Sequence, residues 1–119
     1  MKFYYKETLI RTSKGHVYTH AVINQEAGTV IGCRTSEKAA QQLKQSYINR
    51  NLLGIENARR AINAIENGKR FYRVQTGRDS YLEAVGGDKS KYEKWIAENT
   101  ERIQRITAMW KVVPLEARE

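Results

Sequence analysis

The chain has 119 residues, a formal net charge of +8, 29% charged residues and 40% hydrophobic residues. This composition is typical of a globular protein rather than a disordered one, and the length predicts a single domain spanning residues 1–119. No apolar run in the sequence approaches the roughly 20 residues of a membrane-spanning helix. The positive charge instead favours an anionic partner, such as a nucleotide, a nucleic acid or an acidic protein surface.

The N-terminus and the cysteine count predict a cytoplasmic protein. The first residues, MKFYYKETLIR, lack the continuous apolar segment of a secretory signal. The only cysteine is Cys33, which excludes an internal disulfide, and two histidines offer little for zinc. We therefore expect a reduced protein with no metal and no cofactor.

Three strand-like runs come first in the chain. Phe3–Arg11 is rich in aromatic and β-branched residues, Val17–Asn24 alternates between apolar and polar positions, and Thr29–Cys33 follows a Gly-containing turn. Short alternating runs joined by turns predict an N-terminal antiparallel β-meander.

A helical pattern replaces the strand pattern after Arg34. Thr35 or Ser36 can cap the helix, and apolar residues recur mostly every three or four positions until Asn67-Gly68, a helix C-terminal signal. Gly54 interrupts the pattern, so we expect one long kinked helix or two helices that meet there. The predicted apolar stripe comprises Ala39, Leu43, Ile48, Leu52, Ile55, Ala58, Ile62 and Ile65.

A hairpin and a second helix complete an α+β prediction. Phe71–Gln75 and Ser80–Val85 are the predicted hairpin strands, and Ser90 with Glu93 matches a capping box at the start of the next helix. A short last strand is expected at residues 111–113, before Pro114. The predicted core face of the second helix comprises Tyr92, Trp95, Ile96, Ile103, Ile106 and Trp110.

The segment Arg59–Arg78 concentrates positive charge around two aromatic residues, Phe71 and Tyr72. Guanidinium groups bind phosphate oxygens in a bidentate manner, and aromatic faces stack on bases. A helix end, a helix–strand junction and a hairpin tip carry these charges, so they either converge on one anion-binding recess or form a solubilising surface. The basic residues of this segment are Arg59, Arg60, Lys69, Arg70, Arg73 and Arg78.

Candidate ligand contacts follow from these residue types. We assign phosphate contacts to the five arginines Arg59, Arg60, Arg70, Arg73 and Arg78, and base stacking to Phe71, Tyr72 or Tyr81. Asn63 or Asn67 can read an adenine edge through a bidentate amide contact.

Catalytic signatures are weak. His16, His20 and Cys33 have no partner that the sequence identifies as a base or nucleophile, and Gly86-Gly87-Asp88 matches no phosphate-loop spacing. We therefore expect a protein that is not an enzyme.

Taken end to end, the chain resembles the first-described family of phage Thoeris anti-defence "sponge" proteins. The resemblance lies in the size, the N-terminal segment KFYYKETLIRTSKGHVYTHAVI, the transition VIGCRTSEKA and the helix–hairpin–helix layout that follows. It implies a non-enzymatic immune-evasion protein acting in the cytoplasm of an infected cell, assembled as a dimer or larger homo-oligomer. It further implies sequestration of a cyclic ADP-ribose-type signal or a cyclic oligonucleotide.

Two other functions fit the same basic residues. One is a phage accessory protein that binds DNA or RNA. The other is an inhibitor resembling anti-CRISPR proteins, which would use the basic face against a protein partner.

Overall fold

The computed structural model describes the backbone of residues 3–5 and 17–117 and the side chains of residues 17–115. It confirms the α+β prediction, including a long first helix, a hairpin and a second helix. The remainder of the predicted first strand, up to Arg11, and His16 lie outside the described residues. The elements are β1 (Phe3–Tyr5), β2 (His20–Asn24), β3 (Thr29–Arg34), α1 (Glu37–Glu66), β4 (Phe71–Thr76), β5 (Asp79–Ala84), α2 (Lys89–Met109) and β6 (Trp110–Ala117).

The chain forms two compact units. The first comprises the described residues up to Tyr47 together with those from Arg105 onward. The second is Ile48–Gln104, which contains the hairpin and the whole basic segment.

The first unit contains a four-stranded sheet in the order β1-β6-β2-β3. β2 is antiparallel to β3, as the meander prediction requires, and it is also antiparallel to β6. β1 pairs in parallel with β6, so the last strand lies between the first and second strands. This insertion buries Val113 beside Ala21 and Ile23 and completes a small apolar core.

β6 is longer than the predicted strand and continues through Pro114. The Leu115 N–H donates to the Thr19 carbonyl at 2.8 Å. Because neighbouring residues of a strand face opposite sides, the nitrogen of Pro114, which carries no hydrogen, faces away from β2. The β1 ladder begins at Leu115, beyond the proline. Trp110, which the sequence assigned to the second helix, starts this strand and packs edge-on against Tyr47.

α1 is continuous from Glu37 to Glu66 and passes through Gly54. The Ser36 hydroxyl accepts a hydrogen bond from the Ala39 N–H, which makes Ser36 the N-cap. A Cβ at Gly54 would lie 3.0 Å from the side-chain oxygen of Asn99 on α2. The glycine therefore allows a close approach of this α2 side chain rather than a break in the helix.

Alanines make up most of the buried face of α1 in the second unit. Ala58, Ala61 and Ala64 are buried, whereas Leu52 of the predicted stripe is 46% exposed. Small side chains let the aromatic rings of Tyr72 and Tyr92 lie close to the helix, and Ile62 and Ile65 flank this cluster.

α2 begins two residues earlier than predicted. The Asp88 carboxylate accepts hydrogen bonds from the backbone N–H and the hydroxyl of Ser90, so Asp88 rather than Ser90 is the cap. These hydrogen bonds lower the pKa of Asp88. Asp88 follows Gly87, whose φ of 77° sets the turn into the helix.

Among the described residues, no helix is long and apolar enough to cross a membrane.

Candidate functional site

One asparagine fixes the hairpin against α1. The Asn57 side chain donates to the Gln75 carbonyl and accepts from the Gln75 N–H, both at 2.9 Å. It thereby satisfies both backbone groups of one β4 residue, as a neighbouring strand would. This contact joins residues that are 18 positions apart.

Two tyrosines anchor the buried face of the hairpin. Tyr72 and Tyr92 pack edge to face with centroids 5.7 Å apart, and the Tyr72 hydroxyl donates to Glu83 at 2.9 Å. The Tyr92 hydroxyl accepts from the Gly86 N–H at 2.8 Å. Burial and the hydrogen bond to Glu83 both raise the pKa of Tyr72, so this phenol stays neutral at physiological pH.

The hairpin turn is formed by Gly77 and Arg78. Thr76 pairs with Asp79, which leaves a two-residue loop, and Gly77 has a φ of 69°. A glycine with positive φ at the first loop position matches a type II′ turn, whose twist suits a hairpin.

A recess of about 240 Å³ lies between α1 and β4. We call it the α1–β4 recess. Its lining combines three cations, one amide, two aromatic rings and two apolar side chains, with no carboxylate among them. The lining residues are Arg60, Asn63, Ala64, Lys69, Phe71, Tyr72, Arg73 and Leu82.

The end of α1 positions Lys69 in this recess. Gly68 has a φ of 65°, its N–H donates to the Ile65 carbonyl, and the Lys69 N–H donates to the Ala64 carbonyl at 2.8 Å. These two bonds define a Schellman motif, which turns the chain back along the last turn of the helix. Lys69 is thus held beside Ala64 on the recess wall.

The three cations differ in how far they are already paired. Arg60 donates to the Asn57 side chain at 3.2 Å and forms an exposed ion pair with Glu56 at 3.8 Å. Arg73 donates to the Ser80 hydroxyl at 2.9 Å. Neither Lys69 nor Arg73 forms an ion pair with another described residue. Their charges are therefore the most available to an anion.

The recess amide is preorganised by a second asparagine. The Asn67 side chain donates to the backbone and side-chain oxygens of Asn63, at 2.7 and 3.0 Å. Because the Asn63 oxygen is used in this way, its NH₂ group remains as the donor for a ligand.

The two recess aromatics have different exposure. Phe71 is 55% exposed, whereas Tyr72 is only 6% exposed and its hydroxyl is engaged by Glu83. Phe71 is therefore the ring that a ligand can stack on.

The structure brings together Arg60, Asn63, Phe71, Tyr72 and Arg73 from the predicted site. Arg59 instead lines a second recess of about 420 Å³ along α1, together with Leu52 and Glu56. The four remaining candidates line neither recess: Asn67 lies in the turn after α1, Arg70 in the bend before β4, Arg78 in the hairpin turn, and Tyr81 on β5.

Sequence reasoning missed three residues of this region. Lys69 belongs to the basic segment but was not assigned to the site, although its position after the Gly68 signal was available. Leu82 and Asn57 enter through long-range pairing, for which the sequence carries no local signal.

The other reactive residues lie elsewhere. Cys33 is partly buried in β3, where burial raises its pKa and so disfavours the thiolate. His20 contacts the Thr19 hydroxyl at 2.8 Å. No group of three or more His, Cys, Asp or Glu side chains suited to a metal ion occurs within the described ranges.

Comparison with protein-family models, curated proteins and solved structures finds no match to this chain.

Proposed function

We propose that this protein binds a small phosphate-bearing nucleotide in the α1–β4 recess and holds it without transforming it. The observation that carries the proposal is the convergence of Arg60, Lys69 and Arg73 around a recess whose lining includes no carboxylate. An anion placed there gains charge-assisted hydrogen bonds without facing a negative side chain in the lining.

Phe71 and Asn63 extend this proposal from a phosphate to a nucleotide. An exposed aromatic ring beside cations can stack on a base, and an amide donor can read a base edge. The recess volume of about 240 Å³ lies below the range of roughly 300 to 1,000 Å³ that is usual for drug-sized ligands. The recess therefore has room for about one nucleotide unit, such as the adenylate part of a larger ligand.

The chemistry of the lining favours retention over turnover. Tyr72 is the only phenol in the lining. Its hydroxyl donates a hydrogen bond to Glu83, and its raised pKa keeps it protonated. It is therefore poorly suited to accept a proton from a bound ligand.

Among nucleotide ligands, we propose a cyclic nucleotide immune signal of the cyclic ADP-ribose type, as the sequence resemblance implies. The protein would then act as a phage-type anti-defence sponge in the host cytoplasm. The homo-oligomer that the resemblance implies stays a prediction, which light scattering of the purified protein tests.

Calorimetric titration with AMP, and with a cyclic ADP-ribose isomer that is closed through ribose oxygens and so leaves adenine N1 and N6 free, tests the proposal. Wild type should bind, and Lys69→Ala and Arg73→Ala should each weaken binding at least about tenfold, since a hydrogen bond to a charged group contributes about 1.5 to 3 kcal/mol. Arg102→Ala removes an exposed arginine of α2 outside the recess and should bind like wild type.

A broader search covers other ligands of the same class. The protein is incubated with lysate of cells in which a defence signal is active, washed and heated, and the released molecules are analysed by mass spectrometry. Recovery of no nucleotide by wild type, or equal recovery by wild type and the Lys69→Ala/Arg73→Ala double variant, would contradict the proposal.

Single-stranded nucleic acid is a second candidate, favoured by the exposure of Phe71 and Leu82 next to Arg73. The salt dependence of the binding constant distinguishes a single strand from a small nucleotide. Log K for a single strand falls with a slope of about −0.7 per neutralised phosphate, so an oligonucleotide that crosses several basic residues has a steep slope. The binding constant of a small ligand that is held by two cations has a shallow slope.

A further inference from the structure

Within the part of the chain that the structure describes, β4 has one free edge, and that edge borders the α1–β4 recess. In the two-stranded sheet, β5 occupies only one side of β4. The other side is contacted by Asn57 of α1, which hydrogen-bonds to both backbone groups of Gln75. Because Arg60 and Ala64 lie one and two turns further along α1, the recess continues along the same edge toward the start of β4.

The pairing pattern fixes which backbone groups face this edge. In a regular antiparallel pair, successive residues alternate between pointing at the partner strand and pointing away from it. Gln75 points away, because its N–H and C=O are bonded to Asn57. The Val85 N–H donates to the Arg70 carbonyl, which places the even-numbered positions on the β5 side. Arg73, in a register without shifts, therefore points away from β5 like Gln75.

The backbone of Arg73 is thus presented to the recess without a protein partner. Among the described residues, Asn57 bonds to Gln75, and no α1 group hydrogen-bonds to the Arg73 N–H or C=O. An adjacent N–H and C=O on one residue form a donor–acceptor pair. The Asn57 amide already reads the equivalent pair about 7 Å further along the edge.

We propose that the Arg73 backbone N–H and C=O bind the Watson–Crick edge of a nucleobase whose phosphate is held by Lys69. A base edge carries an acceptor next to a donor, as the N1 and N6 groups of adenine do, and so repeats the contact that Asn57 makes to Gln75. This inference rests on the proposed function and adds the ligand class. The base is recognised by backbone groups at a strand edge, and its ring stacks beside Phe71.

The proposal explains why a free edge persists in a basic protein. A free edge attracts other strands, and charged side chains close to it discourage such pairing. Lys69 and Arg73 provide this protection in the free protein and then neutralise the ligand phosphate. A planar base can hydrogen-bond to the backbone groups of this edge, and no extended peptide strand is needed.

The test compares three ligands by NMR titration of ¹⁵N-labelled wild-type protein. These are AMP, N6,N6-dimethyl-AMP, which has lost the N6 donor, and ribose 5-phosphate, which has no base. AMP should bind about tenfold more tightly than dimethyl-AMP. The difference in affinity between AMP and ribose 5-phosphate should be larger still. With AMP, the Arg73 amide proton should move downfield, whereas the neighbouring Tyr72 and Val74 amides, which point at β5, should move little.

Three results separate failure of this inference from failure of the proposed function. Equal affinities for AMP and dimethyl-AMP, with Lys69 and Arg73 side-chain signals shifted, would overturn edge recognition but leave phosphate binding in place. A large Val74 shift with a static Arg73 amide would also overturn edge recognition. No shift in any recess residue with any of the three ligands would contradict the proposed function itself.

The Asn57→Ala variant supplies an internal control. It frees the N–H and C=O of Gln75, which then resemble those of Arg73. The Gln75 amide should become sensitive to AMP in this variant and remain insensitive in wild type. If Gln75 already responds in wild type as strongly as Arg73, the ligand is not reading the free pair, and the inference is wrong.

Discussion

β2 and β4 differ in whether both of their backbone edges are paired with neighbouring strands. β2 has β3 on one side and β6 on the other, and Ala21, Val22 and Ile23 are all buried. Among the described strands, β4 pairs only with β5, and buried and exposed residues alternate along it. A strand with two neighbours uses its backbone for the fold. A strand with one neighbour keeps backbone groups that a ligand can bind.

The same difference determines how each strand is held. An isolated two-stranded hairpin is marginally stable in water, so β4 and β5 require other anchors. Asn57, Tyr72 and Tyr92 provide them through side-chain contacts. Variants at these anchors, each paired with a control outside them, test this difference.

The largest effect is expected at Tyr92, which is 1% exposed and packs on both Tyr72 and Trp95. Tyr92→Ala should lower the free energy of unfolding by about 3 to 5 kcal/mol, because it removes a buried aromatic ring. Tyr92→Phe should cost only about 1 kcal/mol, the net value of one hydrogen bond. Urea unfolding measures both, and Tyr81→Ala, at a half-exposed ring, is the control. Similar losses at Tyr81 and Tyr92 would show that Tyr92 does not anchor the hairpin.

Asn57→Ala should lower the free energy of unfolding by about 1 to 3 kcal/mol, because two half-buried backbone groups of Gln75 lose their partner. The Thr100→Ala variant is the control, since that exposed hydroxyl donates to the Ile96 carbonyl within its own helix. Urea unfolding of the two variants should separate them clearly. Equal destabilisation would mean that Asn57 contributes no more than a side chain that bonds within its own helix.

Gly68→Ala should lower the free energy of unfolding by about 1 to 2 kcal/mol, because alanine is disfavoured at a φ of 65°. The added Cβ meets no atom within 4 Å, so the cost is conformational. Gly28→Ala, at a φ of 69° in the β2–β3 turn, should cost a similar amount. Only Gly68→Ala should also weaken nucleotide binding, since only Gly68 positions Lys69. Parallel calorimetry of the two variants checks this, and equal binding would contradict it.

The smallest effect is expected from the Asp88 cap. Hydrogen bonds lower its pKa in the folded protein, so its contribution is present above the unfolded pKa of about 3.9 and is lost as pH falls through the folded value. Wild type should therefore lose stability relative to Asp88→Asn as pH is lowered below about 4. Thermal unfolding at several pH values measures the difference. A constant difference between pH 7 and pH 3 would show that the carboxylate charge is not part of the cap.

Local signals predicted much of this fold. Gly68 marked the end of α1, Gly77 marked the hairpin turn, and the change from alternating to helical spacing marked the start of α1. Each of these features is decided by the conformational preference of a few adjacent residues. Their agreement with the structure explains why the element order is confirmed.

Features decided by distant contacts were not predicted. β6 inserts beside β2 because Val113 completes a core with Ala21, a pairing across most of the chain. One local feature was also missed: Asp88 rather than Ser90 caps α2, since both residue types cap helices and local sequence does not rank them. The basic segment was visible in the sequence, but which of its charges share a recess depends on how the hairpin folds against α1.

Amide hydrogen exchange along β2 and β4, with and without AMP, tests the central claim most directly. In the free protein, Ala21 and Val22 of β2 should be protected, as should Tyr72, Val74 and Gln75 of β4, whereas Arg73 should exchange rapidly. Added ligand should slow exchange at Arg73 and leave β2 unchanged. Protection of Arg73 equal to that of Val74 in the free protein, or exchange at Arg73 that saturating ligand does not slow, would contradict the account.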